Sequence, residues 1–365
     1  MNTNALFTPF ELGQLKLANR TVMAPMTRGF SPNGVPTAAV AEYYRKRAEG
    51  GVGLIITEGT LINHPAATDN TSYPSFFGEE ALAGWKKVVE AVHSVGGKIM
   101  PQIWHIGATR RAGSGPVPDA PTASPSGLVS KDKKVFEALS TEEVEGLVAD
   151  YAQAAFEAKQ IGFDGVEIHG AHGYLIDQFF WADTNVRTDR YGGSLAARSQ
   201  FATEIVKAVR ERVGEDFPIV FRWSQWKQQD YTARLCKTPE ELTAFLKPLS
   251  DAGVDIFHCS QRRFWEPEFE GSDLNLAGWT KKITGKPTIS VGSVGLDQEF
   301  ISSMRGESAE VANIDNLLEK MDNNEFDLIA IGRALLANAD WVNKVKNGQL
   351  DQLNPFTQEH IGQLL

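Results

Sequence analysis

The chain has 365 residues, 42% of them hydrophobic and 22% charged, with a formal net charge of -10. This composition is typical of a folded globular protein, and the acidic balance argues against non-specific nucleic-acid binding. No run of about 18 apolar residues occurs and the start MNTNALFTPF lacks signal-peptide features, so we expect a cytoplasmic protein that does not enter a membrane. The only cysteines, Cys236 and Cys259, exclude a disulfide framework, an iron–sulfur cluster and a cysteine-rich zinc site, so redox chemistry would need an organic cofactor.

Short apolar runs rich in β-branched residues alternate along the chain with segments of helical spacing, which predicts a parallel sheet. The predicted strands are residues 20–25, 53–57, 98–103, 165–169, 218–223, 255–259, 287–292 and 327–332. The predicted helices are residues 37–50, 79–96, 141–162, 194–213, 238–252 and 333–346, with less regular ones at 275–285 and 297–323. Eight such units indicate an α/β fold in which residues 1–365 form a single (β/α)8 TIM barrel, with its active site at the C-terminal ends of the strands.

An open doubly wound sheet is the alternative architecture, but its dinucleotide loop G-x-G-x-x-G is absent after the first strand. Residues 106–139, after the third strand, contain GSGPVPDAPTASPSG, whose Gly, Pro and Ser content is typical of an extended loop. In a barrel this loop could cover the active-site face. The next helix has clear boundary signals, because Ser140 or Thr141 can cap its first turn and Gly162 follows its end.

Active sites of barrels lie where the strands end, so the residues at those positions are the first candidates. They are Pro25, Met26, Thr27, Glu58, Gly59, Thr60, Gln102, Trp104, His105, His169, His172, Tyr174, Arg222, Ser260, Gly292, Ser293, Gly332 and Arg333. The sequences VGSVG and IGRALL, at strands 7 and 8, combine small residues with an arginine at a helix start, which favours a phosphate site. A single phosphate is typical of a mononucleotide.

Gln102 and Arg222 offer an amide and a guanidinium that could recognise a planar heterocycle such as a flavin, with Arg222 stabilising its anionic ring. The alternative makes Arg222 the partner of a carboxylate, either Glu167 or Asp230. The hydroxyl of Thr27 has a similar ambiguity, because it could contact a cofactor or cap the next turn.

The segment EIHGAHGYLIDQFF places His169, His172 and Tyr174 after the fourth strand. A metal site would need a third ligand, and the nearby Asp and His residues show no recognisable ligand spacing. Hydrogen bonding to the backbone is the plain structural alternative for each histidine. A site in which both imidazoles donate N–H groups to a substrate carbonyl oxygen, while Tyr174 supplies a proton, accounts for all three residues.

Several segments resemble a known family. LFTPFELGQLKLANRTVMAPMTR (residues 6–28) is similar to the family's opening, and GVGLIITEGT and QIWHIG are similar to its second and third strands. HGAHGYLIDQFFWADTNVRTDRYGGSLAARSQF resembles the motif H-x-x-[NH]-G-Y-L…QF followed by N-x-R-x-D-x-Y-G-G-S, and IAIGRALLANADWV resembles the phosphate segment. The whole chain thus resembles the old yellow enzyme family of FMN-dependent NAD(P)H ene-reductases, which are (β/α)8 barrels.

The resemblance implies a role for each matching residue. The non-covalently bound FMN would contact Pro25, Met26, Thr27, Gly59, Gln102, Arg222, Gly292, Ser293, Gly332 and Arg333, the last four at its phosphate. His169 and His172 would bind the substrate's carbonyl or nitro group, and Tyr174 would be the proton donor. The substrate pocket would also be lined by Trp104, Tyr73 and Phe356.

The implied reaction has two halves that use one pocket in turn. NAD(P)H, with NADPH the usual donor in the family, reduces the flavin and leaves, and an α,β-unsaturated carbonyl compound then takes its place. Hydride passes from flavin N5 to the β-carbon, and Tyr174 protonates the α-carbon. We therefore expect small-molecule enones or nitro compounds as partners, with no nucleic acid and no membrane, and a monomer or homodimer.

Other functions remain open at this point. An enzyme with the same scaffold could instead reduce nitroesters, nitroaromatics or quinones. Two alternatives belong to other functional classes: a flavin-free lyase or isomerase, and a redox sensor that binds flavin without turnover. Two segments depart from the family pattern: WSQWKQQDY after Arg222, and an expanded region at 305–326 that we expect to add surface helix far from the chemistry. FHCSQRRFWEPEF, after strand 6, is either a lid over NAD(P)H or an exposed loop.

Overall fold

The computed structural model describes residues 4–298 and 306–365, and it contains a closed barrel of eight parallel strands. The strands, numbered β1 to β8 in chain order, are Thr21–Met23, Leu54–Leu61, Ile99–Trp104, Val166–His172, Ile219–Lys227, Ile256–Ser260, Thr288–Val291 and Leu328–Ile331. Each strand pairs with the next along the chain, and β8 pairs with β1 to close the barrel. The predicted (β/α)8 barrel is confirmed, and each predicted strand overlaps an observed one.

Helices follow the strands as predicted. They are α1 (Ala38–Glu49), α2 (Glu79–His93), α3 (Thr141–Ile161), α4 (Gln200–Val213), α5 (Pro239–Ala252), α6 (Leu276–Thr284), α7 (Asp315–Asp322) and α8 (Trp341–Lys346). The helix predicted at 297–323 is helical only over α7 in its described part, and residues 299–305 lie outside the described residues. Within the part of the chain that is described, no helix combines the length and apolar character needed to cross a membrane.

The boundaries of two helices show how local signals act. Ser140 caps α3 through a capping box, because its hydroxyl accepts the N–H of Glu143 and the Glu143 carboxylate accepts the N–H of Ser140. Gly162 ends the same helix at a φ of 96°. The helix predicted at 333–346 is instead two helices, Arg333–Ala337 and α8, because Asn338 between them is extended and its side chain bonds the backbone of Asn354.

Apolar side chains from every strand except β4 fill the barrel interior and pack against a hairpin formed by Phe10–Leu12 and Leu15–Leu17. No element is predicted there, although the apolar alternation on both sides of Gly13 is a hairpin signal. Gly13 has a φ of 55°, which suits the turn. The hairpin and these side chains close one end of the barrel, so polar chemistry is confined to the other end.

Three strands extend at least three residues beyond their predicted ends, and the extensions carry site residues. β2 continues to Leu61, β4 to His172 and β5 to Lys227. Their polar or bulky residues interrupt the apolar pattern, yet pairing with the neighbouring strand continues, as at Leu61 with Trp104. The apolar signal therefore stops before the strand does.

The loop at residues 106–139 packs beside the loop that follows β2. The buried guanidinium of Arg110 donates to the carbonyl oxygens of Thr68, Val117 and Ala120 at 3.2, 2.7 and 3.0 Å. None of residues 106–139, all of which are described, lines the cavity at the strand ends. The loop therefore does not line the cavity itself, and its covering of the active-site face stays a prediction.

Candidate active site

A cavity of about 460 Å³ lies at the C-terminal ends of the strands. The predicted cofactor and substrate residues that line it are Pro25, Met26, Thr27, Gly59, Gln102, Trp104, His169, His172, Tyr174, Arg222, Gly292, Ser293, Gly332, Arg333 and Phe356. Tyr73 is not among the lining residues, but its ring packs 5.6 Å from that of Trp104. Barrel closure thus brings together residues from all parts of the chain.

The two histidines lie side by side, with ring centroids 5.2 Å apart, and Tyr174 lies 5.1 Å from His169. In a regular strand, residues three apart point to opposite faces. The register between β4 and β5 shifts between Gly170 and His172, and His172 has a φ of 65°. This irregularity turns His172 so that it lines the same cavity as His169.

Both imidazoles are neutral at physiological pH. Burial and the positive charge of Arg222 hold the pKa of each ring well below its usual range. The N–H of Ala171 donates to His169 Nδ1 at 3.3 Å, so the neutral ring of His169 carries its proton on Nε2. No group of three or more His, Cys, Asp or Glu among residues 4–298 and 306–365 is arranged to hold a metal ion.

Tyr174 is a protonated phenol at the edge of this pair. Burial raises its pKa to about 12. Its ring contacts Trp104 edge-on at 4.9 Å, and it immediately precedes the short helix Leu175–Phe180. The residue therefore keeps its proton at neutral pH.

A buried hydrogen-bond network crosses the barrel below the cavity. Gln102 Nε2 donates to Glu167 Oε1 at 2.8 Å, and Glu167 Oε2 bonds His258 Nδ1 at 2.6 Å. Arg222, in contrast, hydrogen-bonds neither Glu167 nor Asp230, and its buried Nε has no hydrogen-bond partner among the described residues. Arg222 therefore makes no direct ion pair with either carboxylate, although burial lowers its pKa and the charge of Glu167 acts in the opposite direction. A buried N–H remains for a ligand.

The ends of β7 and β8 form one side of the cavity. Gly292 has a φ of 152°, and a Cβ there would lie 2.7 Å from the carbonyl oxygen of Gln261, so only glycine fits. Ser293 has a φ of 55°, and the Arg333 guanidinium donates to the carbonyl oxygen of Gln298 at 2.5 Å. Small residues, a hydroxyl and a cation thus meet at one end of the cavity.

Gly59 is packed tightly against Trp104, whereas the side chain of Thr27 is open to the cavity. A Cβ on Gly59 would lie 2.5 Å from Trp104 Cε3, so this glycine is required for the Trp104 ring to lie across it. The Thr27 hydroxyl is exposed at the cavity, and no hydrogen bond joins it to another described residue. The Thr27 hydroxyl therefore does not cap the next turn.

Several cavity residues carry no role in the sequence interpretation: Trp226, Gln228, Ser260, Gln261 and Arg262. The departure WSQWKQQDY is the signal that could have identified Trp226, whose ring lies 4.6 Å from that of His172. The segment after β6 is not simply an exposed loop, because Gln261 and Arg262 line the cavity and Phe264 is buried.

The expanded region at 305–326 reaches the cavity wall, contrary to expectation. Residue 305 lies outside the described residues, but Ala309 pairs with Phe356 through two backbone hydrogen bonds of 3.0 and 2.9 Å. Phe356 lines the cavity, and Leu317 on α7 is buried. This region therefore supports a wall of the site.

Comparisons with known proteins identify the family of the chain and proteins to which it is similar. The family described as "NADH:flavin oxidoreductase / NADH oxidase family" matches residues 5–352. The protein is 42% identical over 355 residues to 12-oxophytodienoate reductase 7 of Oryza sativa subsp. japonica, covering 93% of this chain and 87% of that one. It is 34% identical over 368 residues to an NADH oxidase of Thermoanaerobacter brockii, covering 98% of this chain but only 53% of that protein. Morphinone reductase in complex with tetrahydroNAD superposes with a TM-score of 0.82 at 30% identity, covering 98% of this chain and 93% of that one.

Proposed function

The chain belongs to the NADH:flavin oxidoreductase / NADH oxidase family, whose old yellow enzyme-like members share its barrel, and from this premise we propose that it is an FMN-dependent NAD(P)H ene-reductase. Its substrates are α,β-unsaturated carbonyl compounds, whose activated C=C bond is reduced. One observation carries this assignment: two neutral imidazoles, a protonated phenol and an arginine with an unpartnered buried N–H line the same cavity. The names of two relatives, an oxophytodienoate reductase and a morphinone reductase, support a carbonyl-containing substrate.

The residues present fit an FMN. The unpartnered Nε of Arg222 suits an anionic ring, and Gly292, Ser293 and Arg333 suit a phosphate at the far end of the cavity. When bound, FMN supplies the hydride, a chemistry that no side chain here offers. NADPH is the expected donor of that hydride.

His169 and His172 bind the carbonyl oxygen of the substrate and stabilise the negative charge that develops on it. Neutral N–H donors in a cavity screened from water are effective at this task, and each contributes on the order of 10²-fold in rate by analogy with other oxyanion donors. Arg222 adds a fixed positive charge and, after burial, is the second cause that lowers the pKa of both imidazoles and keeps them neutral.

Tyr174 holds the proton that the α-carbon receives. Because its pKa is about 12, the phenol is fully protonated at neutral pH and available as a general acid. Trp104 packs against the rings of both His169 and Tyr174 and orients them. Residues 1–365 then act as one FMN-binding domain on small molecules, in the cytoplasm, as a monomer or homodimer.

The decisive experiment is the visible spectrum of the purified protein, followed under anaerobic conditions by addition of NADPH and then of 2-cyclohexenone. We expect flavin absorption, bleaching by NADPH and recovery with the enone. Bleaching without recovery would overturn ene-reduction and direct the search to nitro compounds or quinones. A colourless protein that does not take up added FMN would overturn the flavin assignment.

A further inference from the structure

His172 has two partners on its ring and one on its backbone N–H. Its Nε2 lies 2.7 Å from the hydroxyl oxygen of Ser260, its face packs against Trp226, and its backbone N–H donates to the hydroxyl of Ser224 at 2.9 Å. Ser260 is only 3% exposed. With Nε2 bonded to Ser260, Nδ1 is the ring nitrogen left for a ligand in the cavity.

The hydrogen bond to Ser260 decides what that nitrogen can do. A neutral imidazole has one N–H donor and one lone-pair acceptor, whereas a serine hydroxyl can donate or accept. If Ser260 donates to Nε2, Nδ1 carries the proton. If Ser260 accepts instead, Nδ1 presents a lone pair, which would repel a negatively charged oxygen.

His169 has the opposite arrangement. The N–H of Ala171 occupies its Nδ1, which leaves Nε2–H as its donor. The backbone amide can only donate, so the tautomer of His169 is determined by the main chain. At His172 the tautomer depends instead on a side-chain hydroxyl, which can rotate and either donate or accept.

We propose that Ser260 is a positioning residue that donates to His172 Nε2 and keeps His172 in the Nδ1–H tautomer. The two histidines then present different nitrogens to one substrate oxygen, Nε2–H from His169 and Nδ1–H from His172. This rests on the proposed function, in which both rings donate to that oxygen. The Ser260 hydroxyl makes no other hydrogen bond in the described part of the chain, so it is available as a donor.

The test is the long-range 1H–15N spectrum of the FMN-loaded protein labelled with 15N-histidine, recorded with p-chlorophenol as the anionic probe. The His172 signals are assigned by their loss in His172→Gln. We expect protonated Nδ1 and unprotonated Nε2 at His172, and the reverse at His169. An Nε2–H tautomer at His172 in the wild-type protein would overturn the inference, and this readout needs no variant of Ser260.

Variants of Ser260 provide a second test of the proposal. Ser260→Ala is expected to release the tautomer and to weaken p-chlorophenol binding by about tenfold, the value of one hydrogen bond to a charged group. Ser260→Thr retains the hydroxyl and should restore both the Nδ1–H tautomer of His172 and the affinity for p-chlorophenol. Ser224→Ala is the matched control: it removes the bonds of the Ser224 hydroxyl to the His172 backbone N–H and the Trp226 carbonyl oxygen but no bond to a ring nitrogen, and it should leave the tautomer unchanged. An unchanged tautomer and affinity in Ser260→Ala would overturn the role of Ser260.

The outcomes separate this inference from the proposed function. A protein that fails to reduce 2-cyclohexenone but shows Nδ1–H at His172 would overturn ene-reduction and retain the role of Ser260. A protein that reduces the enone while His172 is Nε2–H would retain the function and overturn the role of Ser260.

Discussion

Lys227 Nζ lies 2.5 Å from Asp177 Oδ1, and both side chains are fully buried. The second carboxylate oxygen of Asp177 accepts the backbone N–H of Gly173 at 2.7 Å. Because Gly173 lies between His172 and Tyr174, this ion pair ties the end of β5 to the turn that carries both residues. Buried ion pairs are weak evidence for net stability, so we interpret this one chiefly as a constraint on the turn.

Lys227→Met should lower the free energy of unfolding by about 3–5 kcal/mol, because it leaves the Asp177 carboxylate buried without a counter-charge. Urea denaturation at a fixed FMN concentration measures this loss. Adding Asp177→Asn to the same chain removes the orphaned charge and should recover part of the stability. Equal stability of Lys227→Met and the wild-type protein would contradict the importance of the pair.

Tyr174→Phe should separate the two half-reactions. Flavin bleaching by NADPH needs no proton from Tyr174 and should proceed at the wild-type rate, whereas reoxidation by 2-cyclohexenone should slow by about 10²-fold or more. Anaerobic stopped-flow absorbance measures both. Tyr151→Phe removes a buried phenol hydroxyl that lies outside the cavity and is the control. Equal slowing of both halves in Tyr174→Phe would contradict its role as the acid.

His169→Ala and His172→Ala should each weaken the binding of p-hydroxybenzaldehyde by at least about tenfold, because each loses a hydrogen bond to the phenolate oxygen. Spectral titration of the bound flavin gives the affinities. His93→Ala removes a histidine that bonds Asp164 away from the cavity and should bind the phenol normally. Unchanged affinity in both cavity variants would exclude the histidines from the anion site.

Trp226 should restrict which substrates fit beside His172, because its ring packs there and its Nε1–H donates to the Ser260 carbonyl oxygen. Trp226→Ala should raise kcat/KM for ring-substituted cyclohexenones relative to 2-cyclohexenone. Trp226→Phe keeps an aromatic ring, and its ratio of kcat/KM values should lie between those of the wild-type protein and Trp226→Ala. A ratio that stays constant across all three proteins would show that this wall does not select substrates.

Asp189 in the motif NVRTDRYGGS should contribute stability that depends on pH. Hydrogen bonding to Arg187 lowers the pKa of Asp189 to about 2, and Arg187 also donates to the carbonyl oxygens of Pro125 and Leu139. A depressed folded-state pKa gives stabilisation that is complete well above the unfolded value of about 3.9 and is lost as the pH falls toward about 2.

Denaturation of Asp189→Asn and the wild-type protein across a pH series tests this contribution. The difference in unfolding free energy should be constant above about pH 5 and shrink between about pH 4 and pH 2, where Asp189 becomes protonated. A difference that does not change over the acid range would contradict the pairing with Arg187.

The sequence predicted the strands well because buried parallel strands are short, continuous and β-branched. It also predicted most cavity residues, because a barrel collects the residues that follow its strands at one end. The sequence interpretation missed the hairpin before β1, because each of its two strands has only three residues. It also missed the backbone pairing of Ala309 with Phe356, which supports the cavity wall. Pairing between segments 47 residues apart leaves no local pattern.

The sequence by itself determined where the strands lie and which side chains follow them, because a short continuous apolar run records burial along a single segment. Only the tertiary structure decided which groups became partners. Ser260 meets His172 across 88 residues, His258 meets Glu167 across 91, and Lys227 meets Asp177 across 50. The physical reason is barrel closure: it brings the ends of β4, β5 and β6 within hydrogen-bonding distance, and the irregularity in β4 turns His172 toward them.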